Sequence, residues 1–146
     1  MTGPFSLAVH ALVYLNHKKT SLSSEELAEN ICTNPARIRK IMSRLKPAGL
    51  VTTKEGTQGG YTFTGDAGGV TLRTIAEAVG ARFVEASWRP GNEDMECLVA
   101  SGMADIMDGI YAELNQQCLA HLEQIFLLDI DRHIFGGPQP GKEGKK

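Results

Sequence analysis

Asn34, Arg37, Arg39, Lys40, Ser43 and Arg44 crowd cations, an amide and a hydroxyl into one short stretch of the chain. Guanidinium and ammonium groups neutralise phosphates and reach guanine edges, and amides and hydroxyls bond to phosphates or bases. The chemistry on offer is therefore recognition of a polyanion. A smaller polar set, Lys54, Thr57 and Gln58, lies among the glycines Gly56, Gly59 and Gly60. Chemistry of another kind rests with Cys32, Cys97 and Cys118, an odd number of thiols standing far apart. That spacing fits neither a disulfide framework nor a zinc site, and it suits a reducing cytoplasm. Cys118 and His121 lie three residues apart on one predicted helix, but no further Cys or His has ligand spacing to complete a metal site. The sequence has no phosphate-binding loop, no paired carboxylates with a pocket signature and no His in a recognisable relation to a nucleophile. It therefore does not read as an enzyme, and Cys97 as a catalytic nucleophile is the weakest reading.

The elements that must position these groups are legible locally. Residues 5–16 are almost continuously apolar and predict a buried helix. Ser23 and Glu26 have the spacing of a capping box, flanked by Leu22 and Leu27, and start a helix over residues 24–31. Asn34 can cap a further helix, with Pro35 preset for its first turn. At ~100° per residue, Ile38, Ile41, Met42 and Leu45 share one arc of that helix, which runs to about residue 46, and the basic residues cover most of the rest. On an isolated helix such a face could be merely solvated. Residues 47–64 shift the balance towards a reading face. Pro47, Ala48 and Gly49 end the helix, residues 50–53 and 61–64 predict two strands, and the glycines between them make a turn. A helix-turn-helix leading into a glycine-rich hairpin is a winged helix, whose second helix reads the major groove while the wing reaches phosphate or minor groove.

The chain has 146 residues, 42% hydrophobic and 22% charged, an ordinary globular composition with apolar runs too short to span a bilayer. Neither a membrane span nor a secretion signal is expected. The formal charge of −2 conceals an asymmetry: residues 1–65 hold eight Lys/Arg against four Asp/Glu, and residues 66–146 hold seven against thirteen. A basic first half can meet a polyanion while an acidic second half serves another purpose.

The ordered set formed by the apolar first helix, residues 23–31, RLKPAGLV at 44–51, GTQGGY at 56–61 and Val70-Thr71-Leu72 leading to Val79 resembles the bacterial Rrf-two (Rrf2) family of winged-helix transcription regulators. The resemblance covers about residues 5–126. It implies a symmetric dimer acting on a palindromic DNA operator, by analogy a repressor, with a long C-terminal dimerisation helix. Glu55 stands where the family commonly carries arginine, which weakens the expected wing contact, and Pro47 is unusual at its position. Cluster-binding members place three cysteines at short spacing before the long helix. Only Cys97 stands there in this chain, so no iron–sulfur cluster or other cofactor is expected, and the chain resembles the cluster-less branch.

Met103, Met107, Ile110, Leu114, Cys118, Leu122 and Ile125 step by three and four and predict the apolar stripe of that helix, which a second copy would cover. Cys97, and Cys32 in the turn of the reading head, are candidate redox sensors, each weighed against a role in packing; Cys118 falls on the stripe and reads as packing. The acidic neighbours Glu93, Asp94 and Glu96 should raise the Cys97 pKa unless a helix N-terminus compensates. Phe83 and Trp88 are expected to anchor the hinge on the core rather than line an effector pocket.

The expected architecture is mainly α with a small β wing. It comprises a winged helix-turn-helix head (1–80), a hinge and long dimerisation helix (81–135), and a disordered tail (136–146). The expected function is sequence-specific binding of double-stranded DNA by a cytoplasmic homodimer, with redox or a small effector as the candidate signals, and the alternative is a winged-helix protein–protein interaction module.

Overall fold

A computed structural model describes residues 2–57 and 59–136. Helix α1 (Gly3–Lys18) carries proline in its first turn and closes on Lys19 in the left-handed conformation. It buries Leu7, Ala8, Ala11, Leu12, Val13 and Leu15 and so forms the spine of the core. Helix α2 (Ser24–Ile31) begins with the capping box expected from the sequence: Ser23 Oγ accepts from the Glu26 amide, and Glu26 Oε1 accepts from the Ser23 amide, both at 3.0 Å. Helix α3 (Pro35–Leu45) starts at Asn34, whose Oδ1 accepts from the Arg37 amide at 2.9 Å. Ile38, Ile41, Met42 and Leu45 are its buried stripe, as the periodicity requires. The chain then turns through Gly49 at φ +78°, a conformation that favours glycine.

Strands β1 (Val51–Lys54) and β2 (Gly60–Phe63) form an antiparallel wing in which Val51 pairs with Phe63 and Lys54 with Gly60. The wing does not hang free. Leu22 bridges to Tyr61 through reciprocal backbone hydrogen bonds of 3.0 and 2.8 Å, tying the wing to the segment ahead of α2. At Gly60, φ is +151° and a Cβ would collide with the Leu22 carbonyl, so the bridge itself demands glycine there.

Helix α4 (Leu72–Ala78), capped by Thr71, buries Ile75 and Ala76 beneath α1. Residues 81–97 cross to α5 (Leu98–Leu122), the longest element. α5 starts near the expected place but ends before Ile125. That residue lies in the next turn, where its carbonyl accepts from the Leu72 amide at 2.8 Å. A sixth helix, α6 (Leu127–Phe135), completes the described chain, with Asp129 accepting from the Phe126 amide at 2.7 Å and Leu127 fully buried. α6 docks against α1, so the end of the described chain closes the core of the head. No described helix is long and apolar enough to cross a membrane. The expected tail, residues 136–146, lies outside the described residues except for Gly136.

Candidate nucleic-acid interface

The exposed side of α3 is centred on Ala36, Lys40 and Ser43, opposite the buried stripe at ~100° per residue. Arg39 and Lys46 flank this centre on one side, Arg37 and Arg44 on the other. The flanking cations hold on to neighbouring elements. Arg39 Nη1 donates to Ser24 Oγ on α2 at 3.2 Å, and Lys46 Nζ to Thr53 Oγ1 on β1 at 3.2 Å. Arg44 Nη1 donates to the Val79 carbonyl at the end of α4 at 2.8 Å, and Arg37 Nη1 to Thr33 Oγ1 at 3.3 Å. Lys40 is exposed, and its ammonium meets no partner among the described residues.

Asn34 faces inward to its own helix as a cap, and Ser43 Oγ donates back to the Lys40 carbonyl at 2.6 Å. Both hydroxyl and amide therefore do structural work, and the Ser43 oxygen still offers an acceptor lone pair outward. Ala36 gives no signal in the sequence, because alanine carries no polar chemistry. Its position makes it a candidate: a methyl group at the centre of a reading face can meet a thymine methyl. Lys54 and Thr57 are exposed on the wing, as is Glu55, while Gln58 lies outside the described residues. A cavity of about 650 Å³ opens between the start of α1 and α3, where Arg37, Lys40 and Arg44 bring three positive charges to Thr2, Gly3 and Pro4.

The thiols occupy three different environments. Cys32 is exposed and closes α2 in the left-handed conformation at φ +65°. Cys97 is exposed at the N-cap of α5. No full cap hydrogen bond closes on its sulfur, yet the backbone amides of Ala100 and then Val99 favour the thiolate and hold the pKa below the usual thiol range. The acidic neighbours thus do not set the sign; the helix start does. Cys118 is half-buried.

The predicted stripe on α5 divides between two faces. Met107, Cys118 and Leu122 are half-buried with Tyr111 and Asn115 on the side facing the protein's own hinge and α4, and Leu122 and Ile125 pack against the core of the head. Met103, Ile110 and Leu114 lie on the adjoining exposed face, joined there by Val99 and Ile106. Phe83 anchors the hinge as expected, with its ring edge-on to Phe5 at 5.2 Å, but Trp88 stays 76% exposed and anchors nothing.

A helix-turn-helix presenting a cationic second helix, beside a glycine-turned wing, defines a DNA-binding winged-helix protein. Similarity to known proteins names its kin. The chain matches the Rrf2 family, described as "Iron-dependent Transcriptional regulator", over residues 1–133, and it belongs to that family of DNA-binding transcription regulators. It is 28% identical over 132 residues to the HTH-type transcriptional regulator YwgB of Bacillus subtilis, covering 84% of this chain and 83% of that protein. It is 25% identical over 130 residues to YwnA of the same organism, named likewise, with coverage of 89% and 96%. The crystal structure of a transcriptional regulator from Lactobacillus plantarum superposes with a TM-score of 0.78 at 24% identity, covering 92% of this chain and 91% of that one.

The family description raises the question of iron. Residues 81–97 supply one thiolate, Cys97, and among the described residues no three His, Cys, Asp or Glu side chains converge as a metal site would require. This donor set does not fit an iron–sulfur cluster, which needs several thiolates or substitutes around it.

Proposed function

We propose that the protein is a homodimer that reads a palindromic operator and represses from it. The observation that carries the dimer is the state of α5: 25 residues long, it buries no residue within its own chain. Val99 is 70% and Ile106 60% exposed, and with Met103, Ile110 and Leu114 they form an apolar stripe of three- and four-residue steps. Water-exposed stripes of this kind mark an association surface. Two copies joined along α5 would carry two α3 helices related by a two-fold axis, the symmetry that a palindromic site matches.

On each half-site, Ala36, Lys40 and Ser43 face the base edges, and Arg37, Arg39, Arg44 and Lys54 take phosphates, with Asn34 fixing the start of α3. Repression rests on the likeness to the family. Of the two candidate sensors, Cys97 is favoured by its thiolate-promoting position at the start of α5, where oxidation would alter the element that carries the dimer. A cavity for a small effector is not needed by this reading.

The test combines light scattering with selection from random duplexes. The wild type should be dimeric and should select an inverted repeat whose half-site centres lie about one helical turn apart. An Ile106→Glu/Ile110→Glu protein should be monomeric and select no repeat. A monomeric wild type, or a selected site without two-fold symmetry, would refute the proposal.

A further inference from the structure

The segment between α4 and α5 is gripped from both of its sides. On one, Arg44 of α3 donates to the Val79 carbonyl at 2.8 Å. On the other, the half-buried amide of Asn115, at mid-α5, saturates the strap a few residues on. Its Oδ1 accepts from the amides of Phe83 at 2.8 Å and Val84 at 2.9 Å, and its Nδ2 donates to the Val84 carbonyl at 2.6 Å and to the Tyr111 carbonyl at 3.1 Å. Between these two grips the ring of Phe83 stands edge-on against Phe5 of α1. The start of α1 in turn lies beside α3, where a Cβ on Gly3 would stand 3.8 Å from the Arg37 guanidinium.

We infer that Asn115 is a positioning residue which, through the strap at residues 79–84, fixes the angle between α5 and the reading helix α3 and so sets the half-site spacing the dimer accepts. The inference rests on the DNA-reading dimer proposed above. Its physical basis is geometric. A primary amide satisfies two amide donors and a carbonyl in one plane, so a single side chain joins the strap backbone at Phe83 and Val84 to mid-α5 through three hydrogen bonds. Further along, Arg89 pairs with Asp105 at 3.1 Å and Asp108 at 2.7 Å and the Asn92 amide donates to the Ala100 carbonyl at 3.0 Å, so without the clasp the segment stays on α5. What is lost is the register of residues 83–84 on mid-α5, and with it the fixed separation of the two α3 helices of a dimer. Adding one base pair between half-sites displaces them by roughly 3.4 Å and 35°, a change that a rigid link detects and a loose one absorbs.

The experiment measures affinity for the selected operator and for versions lengthened or shortened by one base pair between half-sites, with oligomeric state and melting temperature taken in parallel. Wild type should discriminate against the altered spacings by about tenfold. Asn115→Leu, which keeps volume and removes all four bonds, should discriminate by no more than about twofold while remaining dimeric and keeping its affinity for a single half-site. Asn115→Asp keeps the two acceptor bonds and loses the donors, and should fall between them; it decides the matter if Asn115→Leu does not fold. A variant that stays dimeric with the wild-type spacing preference overturns the inference alone. A wild type that selects no duplex overturns the DNA-reading function and the inference with it.

Discussion

Replacing Lys40 by alanine separates sequence reading from charge. The ammonium has no partner among the described residues, and alanine is the best helix former, so the substitution should leave the melting temperature within about 2 °C of wild type. In the proposed dimer what is lost is a contact to DNA, once in each protomer. A lysine bonded to a guanine edge contributes at least about 1 kcal/mol of discrimination, and the dimer would lose this twice, so affinity for the selected operator should fall about 30-fold or more. A base contact, unlike a phosphate contact, should spare scrambled duplex, where the expected loss is under about threefold. Titration by fluorescence anisotropy at several salt concentrations, with operator and scrambled DNA side by side, reads both numbers. Lys18→Ala is the control: it removes the same charge at the far end of α1, where the ammonium lies 5.8 Å from the Tyr14 ring centroid. It should change operator affinity by less than about twofold. Equal losses on the two duplexes, with the salt slope flattened by about 1.8 as for two phosphates, would show that Lys40 only neutralises charge. No loss on either would mean that α3 presents a different face.

Leu127→Ala empties a fully buried site where α6 meets the core and should destabilise the protein by about 2–5 kcal/mol, seen in urea denaturation; a change below about 1 kcal/mol would mean that α6 is not part of the head. In a protein with Cys32 and Cys118 replaced by serine, alkylation of Cys97 by iodoacetamide should persist to lower pH than for a free cysteine, because its thiol pKa is depressed. The sign for stability is the same: the thiolate is preferred in the folded state, so its contribution is present above the unfolded thiol pKa and fades as pH falls through the lower folded one. An alkylation profile with its inflection at the ordinary thiol value would contradict the role of the Ala100 and Val99 amides.

The reading head is legible in the sequence because its signals are local. Ser23 and Glu26 satisfy each other across one turn, Asn34 and Pro35 start α3 within two residues, and Gly60 marks the wing. α6 is hidden because its start lacks a conventional capping residue: Phe126 stands there, and Asp129 reaches back alone. The α5 stripe reads as one face because steps of three and four drift across neighbouring arcs of a helix. Only the half-burial of Met107, Tyr111, Asn115 and Cys118, with the Asn115 bonds to the hinge, shows which arc its own chain occupies. Ala36 escapes notice because its candidacy comes from where it points, and Asn115 because a single amide on a helix reads as solvated until its four partners are known.

The arrangement of cations around α3 argues for a division of labour that residue type alone does not reveal. The acceptors that hold Arg39, Arg44 and Lys46 are a hydroxyl, a carbonyl and a hydroxyl, none of them charged. These tethers fix the direction of the side chains without cancelling their charge. A guanidinium using one of its five donors in this way keeps the others for phosphate and has already surrendered part of its rotamer freedom, so docking on the DNA backbone orders it less. The same bonds run to α2, to the end of α4 and to β1, so the cations proposed to meet phosphate also set the seating of α3 among its neighbours. Lys40, untethered among the described residues and central, is the side chain that the proposed reading leaves to search the groove, with the Ala36 methyl group and the Ser43 hydroxyl beside it. The protein's net negative charge does not describe this surface, because most of the carboxylates responsible for it are carried after residue 65, outside the α3 and wing segments, where Glu55 is the exception.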